Sequence, residues 1–184
     1  MNRINRLLLV AAAFVFCINF GASVRAEDEN TTDLIGKPAP DFFLQTLENK
    51  PVRLSQLKGH VVVVDFWATW CPPCRKSLPH LQAVSTNKEF AEKGLLVLGV
   101  NAQETKDKAQ GFMKQNQYTF TVPLDSKGDV LKSYLVQGIP TTIVVGRDGK
   151  IKNAFIGFGG EASEKQLDKA ITDALNEPTP KQAA

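Results

Sequence analysis

Histidine, methionine and cysteine are scarce in this chain of 184 residues, which has two, two and three of them. No second cysteine pair accompanies Cys71 and Cys74, and His60 and His80 are not closely spaced, so the ligand pattern of a structural zinc site is missing. Met113 is the only methionine after the first residue. A Cu(I)-delivery protein would be expected to offer a third soft ligand beside its cysteines, and Met113 is distant from them in sequence. Phosphate loops are missing too, since Gly157, Gly159 and Gly160 are followed by no Lys-Ser or Lys-Thr pair and lack dinucleotide spacing. No repeat with a period of about 20 to 50 residues is visible.

Excess charge is also lacking. The chain holds 22 basic and 19 acidic residues, but Arg3, Arg6 and Arg25 precede the first acid, and the remainder carries 19 of each sign. That balance leaves no electrostatic footprint for nucleic acid. With 43% hydrophobic and 22% charged residues, the composition is that of an ordinary globular body with one sizeable core.

The N-terminus reads as an address. Arg3 and Arg6 precede an apolar stretch from Leu7 to Phe20, broken only by Asn19, and Ala22, Val24 and Ala26 follow. This is the order of a secretory signal over residues 1–26, cleaved after Ala26. The alternative is an uncleaved anchor that tethers the body through residues 7–20, a run shorter than the ~20 residues needed to span a bilayer. Either reading exports the body to the periplasm or another extracytoplasmic space. Cys17 belongs to the signal, because Phe14-Val15-Phe16 before it lacks the leucine and small residues of a lipid-modified cysteine. The expected organisation is a flexible polar lead over 27–35, one domain over 36–175 and a disordered polar tail over 176–184.

Within the domain, Phe42–Leu44 and Val52–Leu54 read as a hairpin, and Ser55–Gly59 as a short helical turn stopped by glycine. Val61–Trp67 is too continuously apolar for a half-exposed strand and predicts a central one. A helix is expected from Pro72, kinked by Pro79. Leu95–Val100 predicts a second buried strand, Thr105–Gln115 a helix, Phe120–Leu124 a short strand, and Val130, Leu131, Tyr134 and Leu135 a helical stripe. Thr141–Val145 and Lys150–Ile156 read as strands joined at Arg147-Asp148-Gly149. Ser163 and Gln166 have capping-box spacing for a last helix that ends near Leu175. Strands alternating with helices, then a terminal hairpin, imply an α/β sandwich with a mixed sheet.

Trp70-Cys71-Pro72-Pro73-Cys74 falls where the central strand turns into a helix. A two-residue gap on a first helical turn lets two sulfurs face each other, so dithiol and disulfide interconvert with little backbone movement. Their bridge closes too small a ring to stabilise much, and in an oxidising compartment that favours a redox role over a structural one. Cys71 stands at the positive end of the helix dipole and is expected to attack, with the more buried Cys74 resolving. Asp65 closes a run of four valines. Burial there should raise its pKa and suit it to take the proton of Cys74, or else it caps the turn after the strand. Trp67 is expected in the core and Trp70 at the rim of a substrate groove. Arg75 and Lys76 read as solvated charges.

Val64-Asp65-Phe66-Trp67-Ala68-Thr69-Trp70-Cys71-Pro72-Pro73-Cys74-Arg75, with Gly138-Ile139-Pro140-Thr141-Thr142 downstream, resembles the thioredoxin-like superfamily. Gly36-Lys37-Pro38-Ala39-Pro40-Asp41-Phe42, the turn over 54–59 and the extra strand-helix segment around 101–124 are similar to the exported thiol-disulfide oxidoreductases of the TlpA and ResA type. The likeness runs from about Gly36 to Leu175. It implies a thioredoxin-like α/β/α sandwich with a mixed central sheet, N-terminal hairpin and inserted segment. It also implies an enzyme that reduces disulfides in extracytoplasmic proteins, often apocytochrome c, through the Cys71–Cys74 dithiol. No bound cofactor or metal is expected, and the body is expected as a monomer supplied by a membrane-embedded electron donor.

By the same resemblance Pro140 corresponds to the superfamily's cis-proline, although only about 5–6% of such bonds are cis in folded proteins. The backbone of Ile139 beside it would pair with an extended substrate segment, with Trp70, Pro72 and Pro73 bordering that segment. Gly157 matches a glycine after the last strand, read as backbone clearance. TlpA and ResA type proteins usually carry Asn where this chain has Asp65, and Glu where it has Ser77. The chain departs from that group on both counts. The alternatives left open are a dithiol oxidant of the same fold, a thiol peroxidase and Cu(I) delivery.

Overall fold

The computed structural model describes residues 29–179. The signal reading of residues 1–26, with Cys17, lies outside the described residues, as does the end of the tail. Among the described residues no helix is long and apolar enough to cross a membrane.

Strands β1 (Phe43–Gln45) and β2 (Pro51–Arg53) form an antiparallel hairpin, followed by a 3-10 turn at Leu54–Leu57. Then come β3 (Val61–Trp67), α1 (Pro72–Thr86), α2 (Lys88–Glu92), β4 (Leu95–Ala102), α3 (Lys106–Asn116), β5 (Leu124–Asp125) and α4 (Asp129–Ser133). Strands β6 (Thr141–Val145) and β7 (Ile151–Ile156) and helix α5 (Glu161–Asn176) complete the chain. The main sheet has the order β5-β4-β3-β6-β7, parallel from β5 to β3 and antiparallel from β3 to β7. It is a thioredoxin-like α/β fold with a mixed sheet.

Every residue of β3 is buried, as expected for the middle strand of five. Alternation sends its side chains to two different cores. Val61, Val63 and Trp67 meet Leu78 and Leu81 of α1 and Leu167 and Ile171 of α5. Val62, Val64 and Phe66 meet Phe42, Leu54, Val130 and Tyr134 on the other face. Asp65 falls in register with the first set and therefore points to the layer of α1 and α5.

Four local expectations are corrected. Part of the lead over 27–35 is shaped, because Asn30 caps a 3-10 helix at Thr31–Leu34 and the Thr31 hydroxyl donates to the Leu135 carbonyl at 3.2 Å. The strand expected over 120–124 shrinks to Leu124–Asp125 with isolated bridges at Thr121 and Pro123, since Pro123 has no N–H to extend a ladder. The stripe through Leu135 stops being helical at Ser133, and Leu135 takes a left-handed φ of 54°. The capping box at Ser163 does not form. Helix α5 starts at Glu161 after Gly160, and the Ser163 hydroxyl accepts from the Gly159 N–H at 2.9 Å. Helix α1 continues through Pro79 to Thr86. At the far end of the sheet from the cysteines, Arg147 donates to the carbonyls of Gly59, Lys93 and Leu175 at 3.0, 2.8 and 3.2 Å.

Candidate active site

The C-terminal end of β3 carries the site. Trp67 is fully buried and donates its indole N–H to the Gly99 carbonyl at 3.0 Å. A Cβ at Gly99 would stand 2.5 Å from the Phe120 ring and 3.1 Å from the Trp67 nitrogen, so a larger residue there would push the Phe120 ring off β4 and crowd the indole. After the turn at 68–70, Cys71 caps α1 and Pro72 and Pro73 fill its first two positions, where missing N–H groups cost nothing.

Cys71 and Cys74 are joined in a disulfide with Cα atoms 5.3 Å apart. The Cys71 sulfur accepts the Cys74 N–H at 3.2 Å and lies 3.6 Å from the Ile139 carbonyl oxygen. Cys71 keeps 2% of its surface accessible and Cys74 none. A groove of about 390 Å³ reaches Cys71 but not Cys74. Trp70, 60% exposed, stands on it with Pro72, Pro73, Gln103, Gln137 and Ile139. No charged side chain lines it. The Ile139–Pro140 peptide is cis, as the resemblance implied and the general frequency did not.

Asp65 is 2% exposed. Its Oδ1 accepts the Thr142 hydroxyl at 2.6 Å, and its Oδ2 is buried without a protein partner. Burial pushes the carboxyl up to about 7 against the opposing pull of the Thr142 hydrogen bond. The strand alternation that aims Asp65 at the α1 layer sets it on the same side as Cys74, where a small cavity also touches Ser77 and Pro140. A buried carboxyl with a pKa near neutrality can exchange a proton at physiological pH.

Glu104 is a site residue that sequence reading missed. It is 7% exposed, and its carboxylate accepts the Thr69 N–H at 2.6 Å, the Thr69 hydroxyl at 2.5 Å and the Asn101 amide at 2.9 Å. It thereby fastens the turn before Cys71 to the end of β4. The only signal was an acid two residues past a buried strand, and nothing in the sequence pairs it with Thr69. Arg75 is not merely solvated: it donates to the Thr69 carbonyl at 2.7 Å and lies over the Phe112 ring at 5.7 Å. Gly157 has open space around it rather than a tight neighbour. Its requirement is a φ of +80°, from which its N–H donates to the Pro140 carbonyl at 2.8 Å. Among the described residues no group of three or more His, Cys, Asp or Glu could hold a metal ion.

Comparison with known proteins agrees with this geometry. The model of the AhpC/TSA family matches residues 35–154. A thiol-disulfide oxidoreductase ResA of Bacillus thuringiensis subsp. konkukian is 32% identical over 169 residues, 92% of each chain. The protein of the same name from Bacillus subtilis is 37% identical over 66% of this chain and 67% of its own. Among solved structures, a thiol:disulfide interchange protein of the thioredoxin family from Chlorobium tepidum superposes with a TM-score of 0.65 at 28% identity. It covers 76% of this chain and 96% of that one.

Proposed function

The chain belongs to the AhpC/TSA family and is a thiol-disulfide oxidoreductase, and on that footing we propose that it acts as an exported reductant of protein disulfides through Cys71, Cys74 and Asp65. The observation that carries this direction is the poverty of hydrogen-bond donors around the Cys71 sulfur. Its one backbone donor is the Cys74 N–H. Pro72 and Pro73 offer none, and the Ile139 carbonyl at 3.6 Å presents an oxygen instead. A strong oxidant owes its potential to a stabilised reduced form, and little here stabilises a Cys71 thiolate.

The Cys71 thiolate attacks one sulfur of a substrate disulfide. A Cys71–substrate bond forms, the substrate S–S bond breaks, and the electron pair leaves with the other substrate sulfur, which takes a proton from solvent. Cys74 then gives its proton to Asp65 and attacks the Cys71 sulfur. The Cys71–Cys74 bond forms, the Cys71–substrate bond breaks, and the electron pair leaves with the second substrate sulfur, which takes a proton from solvent; the protein is thereby oxidised to its disulfide and the substrate departs as a dithiol. An extended substrate segment lies along Ile139 and Pro140 as an added strand, with Trp70, Pro72 and Pro73 at its border.

The segment of residues 1–26 supports an extracytoplasmic location, in the periplasm or tethered to the membrane that faces it. The protein is re-reduced there by a membrane-embedded donor and works as a monomer on unfolded disulfide-bearing chains such as apocytochrome c. A thiol peroxidase would use a lone attacking cysteine, and Cys71 has its partner in place. Equilibrium titration of the protein from Glu27 onward against a thiol buffer tests the direction. A potential more reducing than about −180 mV is expected, and a value near −120 mV overturns the reductant reading.

A further inference from the structure

Asp65 must lose the proton it takes, yet it is 2% exposed and sits in the middle strand of the sheet. A cavity on the α1–α5 side of the sheet touches it. This cavity, of about 30 Å³, is lined by Asp65 from β3, Ser77 and His80 from α1, Thr142 from β6, and Ser163 and Glu164 around the start of α5. The remaining wall is apolar, from Leu81, Pro140, Phe155, Phe158 and Leu167, but the space is large enough for one water molecule, and the unpartnered Oδ2 of Asp65 is the group such a water would serve. Side-chain exposure rises outward, from 18% at His80 to 34% at Glu164 and 46% at Asp168.

His80 is held at this boundary by two acids of α5. Its Nε2 lies 3.0 Å from Asp168 Oδ1, and its Nδ1 4.0 Å from Glu164 Oε2. Donation from Nε2–H to Asp168 leaves Nδ1 as the acceptor, because the bond made by one ring nitrogen sets the role of the other. Glu164 lines the cavity and Asp168 does not, and Glu164 is the acid on the Nδ1 side of the ring. The titratable groups facing this ring are Asp65 across the cavity from β3 and Glu164 and Asp168 from α5. The lining from β6 and β7 is Thr142 and Phe155, which carry no charge.

We propose that His80 is the outlet of a proton relay, in which Asp65 Oδ2 passes the Cys74 proton through cavity water to His80 Nδ1 and from there to solvent. The inference rests on the reading of Asp65 given above. In each turnover one proton leaves Cys74, crosses Asp65 and water, and is released at the α1–α5 surface. No electrons move along this path, and the neutral imidazole is restored. Glu164 and Asp168 hold the ring from the α5 side. His80 acts through Asp65, so it is a positioning and relay residue rather than a catalytic one.

The test separates the two thiol steps. Reduced protein mixed with an aromatic disulfide releases one chromophoric thiol when Cys71 attacks and a second when Cys74 resolves. His80→Phe is expected to slow the second release about tenfold at neutral pH, leave the first unchanged, and recover when imidazole is added. His80→Gln keeps a donor for Asp168 but cannot carry a proton, and it should behave the same way, which guards against a packing defect in the Phe variant. If both variants resolve at the wild-type rate while Asp65→Asn is slow, the relay is wrong and the role of Asp65 stands. Slowing without imidazole recovery marks a packing role and also overturns the relay. An Asp65→Asn variant that resolves normally removes the underlying reading itself.

Discussion

Asp65 and Thr142 stand directly opposite each other in the antiparallel β3–β6 ladder, and the Thr142 hydroxyl donates to Asp65 Oδ1 at 2.6 Å. A hydrogen bond to the ionised form lowers a carboxyl pKa, so this contact works against the effect of burial. Thr142→Val removes the donor and keeps the shape. The pH midpoint for resolution of the mixed disulfide should then move upward by about one to two units, because Asp65 must be ionised to act as a base. Stopped-flow rates of the second thiol release across pH measure this, and an unmoved midpoint would separate Asp65 from the resolution step.

Asp65 also sets how stability responds to pH. Its folded pKa of about 7 lies above that of the unfolded chain, so between the two values the folded state binds the extra proton. Stability from this group is complete below pH ~4 and is lost as pH rises to about 7, a fall of roughly 4 kcal/mol at most. Asp65→Asn should flatten that fall and raise stability at pH 8 by roughly 2–4 kcal/mol while slowing resolution. Urea melts at several pH values, run alongside the thiol assay, check both halves.

The groove reaches Cys71 and stops short of Cys74. Cys74→Ser should therefore accumulate a stable mixed disulfide through Cys71, and Cys71→Ser should accumulate none. Mass mapping of alkylated single variants at neutral pH decides the order of attack. Faster labelling of Cys74 would reverse the assignment.

Pro73→His restores an N–H near the Cys71 sulfur and adds a side chain able to carry positive charge. Both favour the thiolate, so the pKa of Cys71 should fall and the reduction potential should rise toward the oxidising side. Titration of the pair in a glutathione buffer reads the shift. A lower potential in the variant would contradict the donor-poverty argument.

Glu104→Ala leaves the Thr69 N–H, the Thr69 hydroxyl and the Asn101 amide without their acceptor. A cost of about 2 kcal/mol or more is expected from those stranded donors, with faster hydrogen exchange at Thr69 than at the middle of β3. Equal protection in variant and wild type would show that the turn is held by something else.

Most of this fold is legible in one dimension where burial is extreme. Four valines before Asp65 leave no solvent face, so the central strand and the burial of its acid follow from the run alone. The CxxC spacing and the prolines after Cys71 fix a helix start in the same local way. What was not legible depends on partners distant in sequence. Glu104 finds Thr69 across 35 residues and His80 finds Asp168 across 88, and no periodicity encodes either. Ser163 failed as a cap because Gly160 let the chain enter α5 earlier, a backbone freedom that side-chain spacing does not reveal.

A groove without a single charged wall supplies no charge of its own to steer what diffuses toward it. Encounter should proceed at the unassisted rate of about 10⁵–10⁷ M⁻¹s⁻¹ and change little with ionic strength. On the proposed reading, competing disulfides are then sorted by how long they dwell against Trp70 and the two prolines. On that reading a loose chain with an accessible bridge stays long enough for exchange, and selection is made by residence rather than attraction.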